Sequence, residues 1–102
     1  MPPIVNAKRI EVEQACRRFG VARLDVFGSA ATGNFDSGTS DLDFVVSFTE
    51  PARAKAFDNY FGLLEALEVI FSRPIDLITA ASVKNPYLLR EIEIQRQFVY
   101  AA

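Results

Sequence analysis

Three aspartates lie inside runs that otherwise read as β-strands: Asp41 and Asp43 in Ser40-Asp41-Leu42-Asp43-Phe44-Val45-Val46, and Asp76 in Ile75-Asp76-Leu77-Ile78-Thr79. Strands disfavour aspartate, and a carboxylate withdrawn from water needs a partner for its charge. Side chains alternate across a strand. Asp41, Asp43 and Val45 therefore face one way, and Leu42, Phe44, Val46 and Phe48 the other. Asp76 is likewise on the face opposite Ile75 and Leu77. Two carboxylates share a face, and a neighbouring strand can bring the third within coordination reach of them. Any fold for this chain must gather these acids or neutralise each one separately, with an arginine such as Arg23 or Arg73 or as a turn cap.

The rest of the composition narrows the chemistry. With 102 residues, half of them hydrophobic and 24% charged, the chain is expected to form one globular domain spanning residues 1–102. It contains no histidine and a single cysteine, Cys16, which excludes an imidazole base, a Cys/His zinc site and an internal disulfide. Catalysis must rest on carboxylates. Eleven basic residues against thirteen acidic ones give a net charge of -2, which offers no broad cationic surface for coating nucleic acid. No apolar run approaches the roughly 20 residues that span a bilayer, and the start of the chain lacks a basic stretch leading into a hydrophobic one. A soluble cytoplasmic protein is expected.

Hydrophobic spacing outlines the elements. Val12, Ala15, Cys16 and Phe19 recur at helical intervals, predicting an amphipathic helix over residues 6–19, with Asn6 as its N-cap and Gly20 as its stop. Cys16 falls on the buried stripe and is read as core. A short strand follows over residues 23–28, then a loop rich in Gly, Ser, Asn and Thr over 29–40, with room for one helical turn after Ser29. The strand Leu42–Phe48 leads to a helix over 51–71 whose apolar stripe is wider than one face requires. Either that helix packs between the sheet and a second element, the favoured reading, or another chain covers part of it. The strand Ile75–Thr79, a helix over 87–95 and an extended end at 98–100 complete the chain.

An all-oxygen set such as Asp41, Asp43 and Asp76 suits magnesium or manganese. Twelve residues before the acid pair stands Gly28-Ser29, at the end of a strand. Glycine there lets a phosphate approach the backbone, and the Ser29 hydroxyl can donate a further hydrogen bond. Alone the dipeptide means little. Ahead of an Asp-Leu-Asp pair, with a third aspartate on another strand, it points to a metal-dependent phosphate site.

Taken together, Phe27-Gly28-Ser29, then Ser40-Asp41-Leu42-Asp43-Phe44-Val45-Val46, then Ile75-Asp76-Leu77-Ile78 resemble the minimal nucleotidyltransferases of the DNA polymerase beta superfamily. The segment from Asn85 to Ile92 is similar to that family's C-terminal helix, and the short chain is similar to the stand-alone MNT antitoxins that pair with HEPN-domain toxins. The resemblance implies an α/β (α+β) fold, a small mixed β-sheet with helices packed on it. It further implies two Mg2+ ions held by Asp41 and Asp43, with Asp76 completing the catalytic ion's site, and ATP as substrate bound by Gly28, Ser29 and Ser40. One departure stands out. The family's phosphate loop often reads Gly-Ser-Arg-Ala-Arg-Gly, whereas this chain has Gly28-Ser29-Ala30-Ala31-Thr32-Gly33, so compensating charge must come from elsewhere, with Arg23, Arg73, Lys84 and Arg90 as candidates.

The chain has no room for a domain that would bind an acceptor, so a partner must bring it. The resemblance implies transfer of AMP to a tyrosine of a HEPN toxin, silencing it. Two other readings compete: a non-catalytic antitoxin that occludes its partner through apolar surface on the 51–71 helix and at Tyr87, Leu88, Phe98 and Tyr100, and a small-molecule nucleotidyltransferase whose acceptor site forms across a homodimer.

Overall fold

The computed structural model describes residues 1–32 and 41–102. Four strands form one sheet: β1 (Val21–Phe27), β2 (Leu42–Phe48), β3 (Ile75–Thr79) and β4 (Gln97–Ala101), in the order β3-β2-β1-β4. β1 runs antiparallel to both β2 and β4, while β2 and β3 are parallel. The expected extended end is thus a full strand, lying along the free side of β1. A parallel pair needs a crossover, supplied by α4 (Glu50–Arg53) and α5 (Ala56–Phe71). This is the mixed α/β architecture expected from the sequence.

Two expected helices are broken. The helix predicted over residues 6–19 is instead α1 (Pro3–Asn6) followed by α2 (Arg9–Arg18). Proline at the first helical position has its φ pre-set and lacks only an N–H that would be unpaired there, so a turn starts at Pro3 and Asn6 ends it rather than capping the next. The chain leaves helical geometry at Lys8 (φ -114°, ψ 18°), and α2 begins without a side-chain cap. Gly20 does stop α2, at φ 71°, and a Cβ on it would lie 2.4 Å from that of Ala52. The 51–71 helix is interrupted in the same way at Lys55 (φ -125°, ψ 48°).

One sheet face carries the main core. Leu24 and Val26 of β1, with Leu42, Phe44 and Val46 of β2, are buried against Val12 and Cys16 of α2 and Leu63, Leu67 and Phe71 of α5. Phe44 and Phe71 meet with ring centroids 5.9 Å apart. Each such side chain stabilises the fold by about 1.5–3 kcal/mol relative to leaving it exposed. Burial pushes the Cys16 thiol up to about 12, with Glu13 adding to it, so this cysteine is an inert core residue as expected. α5 does not lie between the sheet and a second layer: it packs on the sheet beside α2, which meets β1 directly, so the two helices share one face. The α5 stripe continues into solvent, where Phe57 and Val69 are each 74% exposed.

On the other face a smaller cluster forms. Phe27 of β1 and Val45 of β2 are buried beneath Ile92 of α6 (Pro86–Gln95), with Ile78, Ala80 and Val83 packed around them. The side chain of Asn85 accepts from the N–H groups of Tyr87 (2.9 Å) and Leu88 (3.4 Å), and Pro86 follows it at the first helical position, fixing where α6 starts. Among the described residues no helix is long and apolar enough to cross a membrane.

Candidate functional site

The acids gather at one end of this second face. In the β1–β2 ladder Asp43 is the partner of Phe27, so Gly28 leaves β1 beside it. In the β2–β3 ladder Asp43 is the partner of Asp76. A single position on β2 therefore joins the glycine motif to the third aspartate, 48 residues further along the chain than Gly28. Gly28 has φ 73°, and a Cβ built on it would stand 2.3 Å from Oδ2 of Asp43. Any larger residue would be strained in backbone and would collide with the carboxylate.

The charges are crowded. Asp43 is half-buried while Asp41 and Asp76 are exposed. The Asp43 carboxyl is pushed up to about 6, first by burial, then by the charge of Asp76 and a hydrogen bond with it, and last by the charge of Asp41. Asp41 stands immediately before β2, and its charge reaches Asp43. Among the described residues, no group of three or more acid, cysteine or histidine side chains is drawn closely enough together to hold a metal ion. The fold supplies instead a hydrogen-bonded Asp43–Asp76 pair with Asp41 on its flank. That donor set fits a hard divalent cation: its atoms are all oxygen, and its mutual repulsion is what such an ion relieves.

The loop after Gly28 opens as a single helical turn, α3 (Ser29–Thr32), in which the N–H of Ala31 donates to the Gly28 carbonyl at 3.1 Å. The expected turn after Ser29 is present. Ser40, the remaining residue assigned to nucleotide binding, lies outside the described residues, as does the rest of the loop at 33–39.

Four further residues frame the site without having been singled out from the sequence. Asp25, on β1, is fully buried; its Oδ2 accepts from Nε of Arg23 at 2.9 Å and from Nε of Arg96 at 2.7 Å, and also pairs with Nη2 of Arg96. Arg23 is therefore committed to Asp25 and not to the three acids. Asp25 had a visible signal, an aspartate between Leu24 and Val26, but its partner Arg96 stands 71 residues away. Gln97, next to Arg96, reaches α3: its Nε2 donates to the Ala31 carbonyl at 2.7 Å. Tyr60 of α5 donates its hydroxyl to the Leu77 carbonyl at 2.5 Å, tying the crossover helix to the strand of Asp76; burial, and then the charge of Asp76, raise its hydroxyl above the usual range.

Comparison with known proteins adds four findings. Residues 9–99 match the family model of the nucleotidyltransferase domain. A protein of Methanocaldococcus jannaschii named as a protein adenylyltransferase is 38% identical over 76 residues, covering 74% of each chain. Among solved structures, a minimal nucleotidyltransferase superposes with a TM-score of 0.68 at 29% identity, over 91% of this chain and 90% of the other. At 16% identity an MNT antitoxin, solved with a tri-AMPylated HEPN toxin of Shewanella oneidensis, shares the fold with a TM-score of 0.60, over 95% of this chain and 72% of that one.

Proposed function

Because the chain belongs to the nucleotidyltransferase domain family, we propose that this transferase moves AMP from ATP to a hydroxyl of a partner protein, a tyrosine of a HEPN-type toxin, and so acts as an antitoxin in the cytoplasm. In this reading residues 1–102 form one catalytic domain. Asp41 and Asp43 hold two magnesium ions, Asp76 completes the site of the second, and Gly28, Ser29 and Ser40 receive the triphosphate.

The observation that carries the proposal is the convergence at Asp43, which touches the glycine turn on one side and Asp76 on the other. Bound magnesium supplies charge neutralisation at the triphosphate and lowers the pKa of the acceptor hydroxyl. The protein does the positioning. Gly28 leaves room beside the acids for a phosphate, the ladder fixes Asp43 against Asp76, and the exposure of Asp76 lets an acceptor approach from solvent. The new bond joins the acceptor oxygen to the α-phosphorus as the bond from that phosphorus to the bridging oxygen breaks; pyrophosphate leaves with that oxygen and the hydroxyl proton passes to solvent.

The adenylyltransferase name of the M. jannaschii relative and the likeness to an antitoxin solved with an AMPylated toxin support the assignment of the acceptor to a partner protein. Incubation of the protein with α-labelled ATP, magnesium and a HEPN toxin encoded beside it should label the toxin, and Asp43→Asn should lower labelling by about a hundredfold or more. An unlabelled, fully active toxin would refute the proposal.

A second reading has its own observation. Phe57 and Phe61 lie together on α5, with ring centroids 4.6 Å apart and both exposed, and Tyr87 and Phe98 are exposed elsewhere. Apolar surface of this kind suits a partner that is simply occluded. The same variant separates the two, since Asp43→Asn leaves occlusion intact.

A further inference from the structure

We propose that Gln97 is a positioning residue for the turn that follows Gly28. α3 has four residues, too few to hold their own conformation, and the last carbonyls of any helix lack intrahelical partners. The Ala31 carbonyl is one of these, and the Gln97 amide satisfies it at 2.7 Å. The donor is fixed where the acceptor is not. Gln97 opens β4 and pairs with Val26 of β1, so the sheet sets its backbone. The residue before it, Arg96, is held by fully buried Asp25 and by Glu93, whose carboxylate accepts from Nη1 at 2.9 Å. A rigid corner of the sheet thus reaches across to a single helical turn and sets its distance from Asp43. Inward, that turn is anchored by buried Ala30.

The consequence for nucleotide rests on the proposed function: a turn that receives a triphosphate binds it more tightly when already held in place. Gln97→Met keeps the length of the side chain and removes the donor; Gln97→Glu keeps the shape and replaces the donor with an acceptor. The first readout is amide hydrogen exchange in the free protein. Exchange at residues 30–32 should rise about three- to tenfold in both variants, the scale of one hydrogen bond, while β1 and β2 keep their protection. The second is the split between binding and turnover: Kd and KM for Mg-ATP should rise by a similar factor with kcat within twofold. A merely structural role would lower thermal stability and leave that split unmoved. Unchanged exchange at 30–32 in both variants would overturn the inference whatever the activity. Faster exchange in a protein whose wild type neither binds nor transfers nucleotide would uphold the positioning role and count against the nucleotidyltransferase reading.

Discussion

The two faces of the sheet follow opposite rules. Beneath α2 and α5, alternate residues of β1 and β2 are apolar and fully buried, and Phe44, Leu24 and Leu42 meet Leu63 and Leu67 without a polar group among them. On the face toward α6 the same strands present Asp25, Phe27, Asp43 and Val45, and only the middle of that face is sealed, by Ile92. Stability is concentrated on the first face, which leaves the second free to carry charges that would be intolerable in a closed core. One buried carboxylate there is neutralised by arginines, while Asp43 and Asp76 are hydrogen-bonded to each other and repel once both are charged. Asp25 is neutralised within the fold, whereas the Asp43–Asp76 pair keeps its charge conflict inside the folded chain.

That contrast breaks if a substitution on the closed face proves mild. Phe44→Ala removes a fully buried ring and its contact with Phe71, and should cost about 3–5 kcal/mol in urea-induced unfolding. A loss below about 1 kcal/mol would show that the two faces are energetically alike.

The pH dependence of the metal-free protein sharpens the comparison. The folded value of Asp43, about 6, lies above its ordinary 3.8. Its favourable contribution is therefore complete below 3.8 and disappears as pH rises through 6. Stability measured in EDTA should fall across that window by about 1 kcal/mol once solvent screening is allowed for. Asp43→Asn should flatten this component, and magnesium should restore stability at pH 7. A component that rises with pH and survives Asp43→Asn would assign it to another group.

The smallest effect concerns the lid of the open face. Asn85→Ala deletes the cap of α6 and should cost about 1 kcal/mol by thermal or urea unfolding, leaving the closed face intact.

Much of this organisation could be read from local spacing. The strand patterns around Asp43 and Asp76 put each carboxylate on the face opposite its apolar neighbours, because that depends only on adjacent residues, and the ladder pairs the two. Helix ends were harder. Asn6 has the chemistry of a cap, but Pro2 and Pro3 start a turn ahead of it, and the interruption at Lys55 falls in an alanine-rich stretch with no residue that signals a stop. The polar frame was least legible. Asp25 has Arg23 two residues away, but its other partner, Arg96, and the partner of Ala31 stand 71 and 66 residues away, and no pattern of nearby residues encodes a pairing over that distance.

The place of β4 has a consequence for how the molecule assembles. β1 and β2 are close in sequence and can pair early, but β4 is the last element in chain order and covers the free edge of β1. Until it docks, β1 exposes a row of unpaired backbone groups, Asp25 lacks Arg96, and the Ala31 carbonyl lacks Gln97. Contacts of such long sequence separation close slowly. Val99 of β4 belongs to the main core, so one late docking event closes the edge of β1, completes the apolar face and ties down α3 together.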